Sequence, residues 1–282
     1  MTVLEVLQST TAYFARRGID QPRLNIEHLL ADSLGKRRLD LYLEFDRELT
    51  GAELAILRQK VKRRADREPL QHVLGHWDFY GRTFATDARA LVPRPETELL
   101  VEEVLERLPK AEDGVPRLVA DVGTGSGVIA ITVALERPTV RVLAIDRETG
   151  PLSLARENAA RHAVSERVSF LNGDLLTCLP EPVYAVVANL PYIPSGDIAQ
   201  LSPEVRRDPL VALDGGPDGL DLIRRLVKEA RSWIKSGGWL FLEVGAGQAP
   251  AAAAMLADEN YRDIFTRRDY QGTDRVVRAC NG

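Results

Sequence analysis

Cysteine is nearly missing from this chain. Of 282 residues only Cys178 and Cys280 are cysteine, far apart and in no CxxC pair. That excludes a disulfide framework, argues against a zinc site and fits a reducing cytoplasm. Long apolar runs are missing too, and none approaches the roughly 20 residues of a membrane-spanning helix. The opening Met1-Thr2-Val3-Leu4-Glu5 lacks the charged-then-apolar pattern of a secretory signal. Nor is there an excess of positive charge. With 37 Lys and Arg against 41 Asp and Glu, the net charge is −4, which removes the global electrostatic case for a nucleic-acid binder. What remains, 45% hydrophobic and 28% charged residues, is the composition of a soluble globular protein long enough for more than one domain.

The first 70 residues read as helices. Val3, Leu4, Leu7, Ala12 and Phe14 form an apolar stripe that Gly18 ends, and Leu24 to Leu34 repeats the pattern before Gly35. Thr50-Gly51-Ala52-Glu53 is a capping box, opening a helix through Leu57 and Val61 to about Asp66. From Arg58 to Arg67 this helix carries six basic residues. They make either a solvated helix face or a docking surface for a partner. Aromatic residues separated by Gly75 and Gly81 then predict a β-hairpin connector over residues 70–91. His72 and His76 have the i, i+4 spacing of helical metal ligands. Gly75 between them and the absence of an adjoining glutamate mark them as structural or surface histidines instead.

After the extended Val92-Pro93-Arg94-Pro95, a helix is expected over 98–108. Arg94 is either a helix-start surface charge or a group that reaches the site from the domain junction. A strand–helix rhythm follows, which predicts an α/β fold with a parallel sheet. Strands fall at 118–122, 141–146, 168–171, 184–188 and 239–244. The helices between them lie at 128–136, 152–163 and 219–235, the last capped by Gly237-Gly238. A helix over 250–258 and β-like stretches at 263–268 and 274–279 complete the chain.

Two turns at the carboxyl ends of strands carry the chemistry, since open α/β sheets bind ligands there. The first is Gly123-Thr124-Gly125-Ser126-Gly127. A dinucleotide fingerprint needs its third glycine at position 128, which is Val128, so the match to a pyrophosphate site is poor. Asp121, just before the turn, suits an amine-bearing ligand better than a phosphate. Asp146 is placed to accept from ribose hydroxyls, and Asp174 from an adenine amino group. Acidic groups of this kind with no phosphate binder describe S-adenosyl-L-methionine better than NAD. The second turn is Asn189-Leu190-Pro191-Tyr192, after the apolar run 182–187. The Asn189 amide oxygen and the Leu190 carbonyl are two acceptors, Pro191 restrains the turn and Tyr192 adds an aromatic face. Such a cradle fits a planar NH2 group.

Together these motifs resemble the HemK/PrmC family, the protein-glutamine N5-methyltransferases that modify peptide-chain release factors. The resemblance rests on Glu68-Pro69-Leu70 to Gly75, Pro93-Arg94-Pro95-Glu96-Thr97-Glu98, Asp121 to Gly127, Asp146 and Asn189 to Tyr192. It continues through Asp208-Pro209, Ala212-Leu213, Gly216 to Leu220, Arg268-Asp269 and Gly272 to Val276. It implies a seven-stranded class I (Rossmann-like) methyltransferase domain over 93–282, a helical substrate-recognition bundle over 1–70 and a β-hairpin linker over 71–92. It further implies S-adenosyl-L-methionine bound by Asp121, Gly123, Thr124, Gly125, Ser126, Gly127, Asp146, Asp174, Leu175 and Asn189. The glutamine amide would be held by Asn189, Leu190, Pro191 and Tyr192, with Arg94 in reach. The expected partner is a release factor and the expected protein a cytoplasmic monomer with no nucleic-acid, membrane or metal requirement. Two departures stand out. The family pattern is Asn-Pro-Pro-Tyr, whereas position 190 here is leucine, and Leu175 stands where some members carry an aromatic residue.

Four alternatives use parts of the same constellation: a glutamine methyltransferase acting on a ribosomal protein, a DNA adenine-N6 methyltransferase, a nicotinamide-dependent oxidoreductase, and a non-catalytic cofactor-binding module. An acidic chain without a basic target-recognition domain disfavours the second, and Val128 the third.

Overall fold

The computed structural model describes residues 1–108 and 116–282 and divides into two compact units, Met1–His76 with Ser202–Arg207, and Trp77–Leu201 with Asp208–Gly282. In the first, α1 (Val3–Arg16), α2 (Pro22–Ser33) and α3 (Gly51–Ala65) bury Val3, Leu7, Phe14, Ile26, Leu29, Leu30 and Leu57. The Thr50/Glu53 capping box forms as its spacing predicts, and a second box, Thr2 with Glu5, starts α1.

The basic run at the end of α3 is mixed, with Arg58, Lys62 and Arg63 exposed and the others half-buried or buried. Lys60 pairs with Asp32, Arg63 with Glu68, and the buried Arg64 bonds Asn25 and, together with Arg67, Glu204. Four of the six charges are thus engaged inside their own unit. A short helix, α4 (Leu70–Leu74), replaces the expected start of the hairpin, ended by Gly75 at φ 79°. His72 lies on α4 while His76 opens the next strand and meets Asp32 at 3.1 Å. Among the described residues no His/Cys/Asp/Glu group could hold a metal ion, and no helix is long and apolar enough to cross a membrane.

The second unit begins with the hairpin β1 (His76–Phe79) and β2 (Arg82–Ala85), then α5 (Glu96–Arg107). Next come β3 (Arg117–Val122), α6 (Val128–Glu136), β4 (Val140–Asp146), α7 (Thr149–Arg161), β5 (Val168–Asn172) and β6 (Val183–Ala188). It closes with α8 (Asp221–Trp233), β7 (Ile234–Glu243), α9 (Ala249–Asp258), β8 (Arg262–Arg268) and β9 (Asp274–Asn281). The sheet has seven strands in the order β5-β4-β3-β6-β7-β9-β8. β9 pairs antiparallel with both neighbours and the other pairings are parallel.

Strand alternation sorts side chains between two cores. Ala120, Val122, Val186, Ala188, Leu240 and Leu242 face α8 and α9. Val119, Ala185, Val187 and Phe241 face α5 and α6, and Phe79 and Phe84 of the hairpin join them there. Gly237-Gly238 does not cap α8, which ends at Trp233. The pair lies within β7, where its pairing with β6 shifts register. A Cβ on Gly238 would collide with the Tyr184 carbonyl, so only glycine fits.

Asn158, wholly buried on α7, ties the hairpin to the glycine turn. Its Oδ1 accepts from the Ala85 amide at 2.7 Å, and its Nδ2 donates to the carbonyls of Ala85 (3.2 Å) and Ser126 (2.9 Å). Asn158→Ala leaves buried backbone groups unpaired, and urea denaturation is expected to show a loss of about 2–4 kcal/mol.

Candidate active site

β3 and β6 are sheet neighbours, yet β3 leads into α6 on one face while β6 leads towards α8 on the other. Divergence of this kind opens a crevice at the carboxyl ends of the two strands. The crevice holds a cavity of about 340 Å³.

The glycine turn is held from below by two carboxylates. Asp121 faces α6, and its Oδ2 accepts from the Thr124 hydroxyl (2.6 Å) and from the Ala130 amide (3.1 Å). Its Oδ1 is buried with no hydrogen-bond partner, and burial pushes the carboxyl up to about 7. Asp146 accepts from the Gly125 and Glu148 amides, both at 3.0 Å, and burial raises its pKa as well. The amides of Gly123 and Thr124 converge on the Ile145 carbonyl at 2.9 Å. Gly127, at φ 83°, lies where a Cβ would sit 2.9 Å from the Ala155 Cβ, so the turn packs directly on α7.

Most of the residues expected to form the site line one cavity: Arg94, Gly123, Thr124, Gly125, Ser126, Asp146, Asp174, Leu175, Asn189, Leu190 and Pro191. Asp121, Gly127 and Tyr192 do not. Asp121 and Gly127 lie behind the turn as supports. Tyr192 turns towards the end of β7, its Cδ2 3.1 Å from the position of a Cβ on Gly245, and burial raises its hydroxyl to about 12. Gln248 holds this segment by donating to the Tyr192 carbonyl at 2.9 Å.

Asp174 differs from the free acceptor that the sequence predicts, because one of its oxygens takes a 2.6 Å ion pair from Arg225 on α8. Leu175 is buried with a left-handed backbone, φ 50°, a conformation that costs a leucine of the order of 1 kcal/mol. Arg94, one of whose two readings reaches the site, lines the cavity and pairs with the buried Asp208 at 2.7 Å. Burial raises Asp208 to about 6 despite that neighbour.

Asn189 is the best-defined polar group. Its Nδ2 donates to the Thr97 hydroxyl at 3.1 Å, Thr97 is in turn hydrogen-bonded to Glu243, and Asn189 lies beside that carboxylate. Thr97 and Glu243 are 3% and 1% exposed, so this is a dry cluster. Sequence reading passed over Glu243, Thr97 in this role, Gln248 and Asn158. The available signal for the first was an acid closing the apolar strand Trp239-Leu240-Phe241-Leu242.

The comparisons with known proteins bear on the family and the fold. Residues 5–75 match the PrmC N-terminal domain and residues 95–201 the Methyltransferase small domain. A release factor glutamine methyltransferase of Geobacter sulfurreducens is 42% identical over 278 residues, 98% of this chain and 95% of that protein. The protein of the same name from Deinococcus radiodurans is 41% identical over 279 residues, covering 99% and 98% of the two chains. The chain belongs to the release factor glutamine methyltransferase family. A methyltransferase structure from Pyrococcus furiosus shares the fold at TM-score 0.54 and 14% identity, covering 83% of this chain and all of that one.

Within the release factor glutamine methyltransferase family, the leucine in the Asn189 turn is accommodated by packing. Leu190 is 4% exposed in the α8-side core, and its Cδ2 would lie 3.1 Å from a Cβ on Gly123. A side chain thus bridges the two turns. Leu190→Ala opens a cavity beneath both and is expected to cost about 2–4 kcal/mol in chemical denaturation.

Proposed function

We propose that this member of the family transfers a methyl group from S-adenosyl-L-methionine to the side-chain nitrogen of the glutamine in the Gly-Gly-Gln loop of peptide chain release factors. The observation that carries this reading is Asn189, which lines the cavity beside the glycine turn with its NH2 already engaged by Thr97.

The residues fit that cofactor. The glycine turn brings backbone close to a ligand, Asp146 has lone pairs for two hydroxyl groups, and a buried carboxylate oxygen of Asp121 stands without a partner beneath the turn. Leu175 supplies an apolar wall and Asp174 an acceptor at the rim. When bound, the cofactor supplies an electrophilic methyl on a positively charged sulfur.

The protein's task is to make a poor nucleophile react, since the amide lone pair is delocalised into its carbonyl. Asn189 Oδ1 and the Leu190 carbonyl accept the two hydrogens of the substrate NH2, which orients the nitrogen and stabilises positive charge as it develops. Asn189 and Leu190 would hold the nitrogen towards the methyl that the bound cofactor supplies, and the surplus proton would leave that nitrogen for water. Alignment within the cavity lowers the barrier further, by up to roughly 7–11 kcal/mol in favourable systems. Pro191 stiffens the turn, and Tyr192 buttresses it from behind.

The reading assigns the helical bundle, residues 1–70, to substrate recognition, residues 71–92 to the connection and residues 93–282 to methyl transfer. It places a monomer in the cytoplasm with the release factor as its partner and no requirement for nucleic acid.

Mass spectrometry of a purified release factor incubated with the protein and S-adenosyl-L-methionine is expected to show one added methyl on the Gly-Gly-Gln glutamine. An unmodified release factor beside a methylated ribosomal protein would move the assignment to that substrate. Asn189→Ala is expected to lower kcat by about 100-fold or more with cofactor affinity little changed, and near-normal turnover would overturn the mechanism. Asp146→Ala removes charge-assisted hydrogen bonds of roughly 1.5–3 kcal/mol each, so calorimetry should show cofactor affinity at least about tenfold weaker.

A further inference from the structure

Glu243 closes β7 in a position that periodicity alone makes unusual. Leu240, Leu242 and Val244 face the α8 side of the sheet, while Phe241 and Glu243 face α5. Opposite Glu243 on that face is Thr97, in the first turn of α5. A carboxylate has been placed in a core, 1% exposed, with one oxygen lacking any hydrogen-bond partner. Removing a carboxylate from water is costly unless a function or a partner offsets it.

The group it bonds is Thr97, whose hydroxyl oxygen accepts from Asn189 Nδ2 at 3.1 Å, and Asn189 itself lies beside the carboxylate. A primary amide has two N–H donors and one oxygen. A hydroxyl that gives its hydrogen to Glu243 has only lone pairs left to offer, so it accepts an Asn189 hydrogen. An ionised carboxylate only accepts, so it rejects the flipped amide, whose oxygen would face it.

We propose that Glu243 is a positioning residue for methyl transfer: by taking the Thr97 hydroxyl hydrogen, its carboxylate makes Thr97 accept from Asn189, which keeps the Asn189 NH2 turned inward and leaves its oxygen to the substrate nitrogen. The inference rests on the reading of Asn189 as acceptor for the substrate NH2, and it adds what fixes that acceptor's polarity. A neutral acid at 243 behaves differently. Its O–H can donate to a flipped Asn189, which then presents NH2 to an NH2-bearing substrate.

Three charged or titratable groups bear on Glu243. Glu96 from α5 disfavours its ionisation, Arg275 from β9 favours it, and the Tyr192 phenol lies close enough to feel its charge. Burial outweighs these and holds the carboxyl at about 7. The ionised, orienting form therefore gains as pH rises through that value, and kcat should rise with it.

The test uses the full chain in four forms: wild type, Glu243→Gln, Asn189→Asp and the double variant. Glutamine keeps the shape of glutamate but carries an NH2 that can donate to a flipped Asn189. Glu243→Gln is expected to lower kcat about 30–100-fold, somewhat less than loss of the acceptor itself. KM for the cofactor should stay within about twofold, and the limb of the pH–kcat profile near 7 should disappear. Asn189→Asp sets two acids against each other and should be similarly impaired. Adding Glu243→Gln gives the introduced carboxylate a donor, and the double variant should exceed the Asn189→Asp single by about tenfold or more. A merely structural Glu243 predicts a double variant no better than either single, and that result overturns the proposal.

A second readout needs neither cofactor nor release factor. In 15N NMR of the protein alone, the Asn189 side-chain NH2 should be slow to exchange in wild type and shifted and faster in Glu243→Gln. Unchanged resonances would sink the idea even if activity were lost. If wild type fails to methylate a release factor while this shift occurs, the substrate assignment fails and the orienting relay from Glu243 through Thr97 stands.

Discussion

The parallel pairing of β3 with β6 is the constraint on which the site depends. Val122 lies opposite Ala188 in that register, so the turns that follow them, one rich in glycine and one beginning at Asn189, must emerge side by side. Because α6 and α8 then cover opposite faces, nothing fills the space above these ends, and the crevice is a property of chain connectivity. Leu190 reinforces the pairing by packing towards Gly123 across the gap. A ligand lying on the glycine turn is therefore within reach of the Asn189 amide without any rearrangement of the backbone.

The site is built around buried acids more than around bases. Asp121, Asp146, Asp208 and Glu243 all have carboxyls raised above their ordinary range, with burial as the first cause in each. Their roles differ. Asp121 and Asp146 spend hydrogen-bonding capacity on the glycine turn, Asp208 takes the Arg94 guanidinium and the Val92 backbone, and Glu243 faces an amide and a hydroxyl. Raised carboxyls cluster at functional sites because the same desolvation that costs stability strengthens every polar contact made there.

What could be read from the residues was mostly local. The Thr50/Glu53 box, the helix beginning at Val128 and the apolar run that becomes β6 are patterns a few residues long, and each appears in the structure where the sequence put it. The glycine turn and the Asn189 turn were legible as well, since strand-end position follows from the order of elements. Misreadings came where a local signal has two physical meanings. Gly237-Gly238 looks like a helix cap but admits the close approach of the Tyr184 carbonyl. Lys60 and Arg64 of α3 read as solvated like their exposed neighbours because Asp32 and Glu204, their partners, are distant in sequence. Thr97, Glu243 and Gln248 escaped for the same reason, as their contacts with 189 and 192 span 92, 54 and 56 positions.

The bonds of Asn158 join parts of the second unit that would otherwise answer separately to stress. The Ala85 end of the hairpin, the middle of α7 and the Ser126 carbonyl of the ligand turn all close on one amide side chain. Opening the hairpin must therefore release the turn, and a turn steadied by a bound ligand must in turn steady the hairpin. In the language of amide exchange, the Asn158 side chain couples protection at Ala85 to order at Ser126. Occupancy of the cavity is then written into the protection of a strand that never touches the ligand.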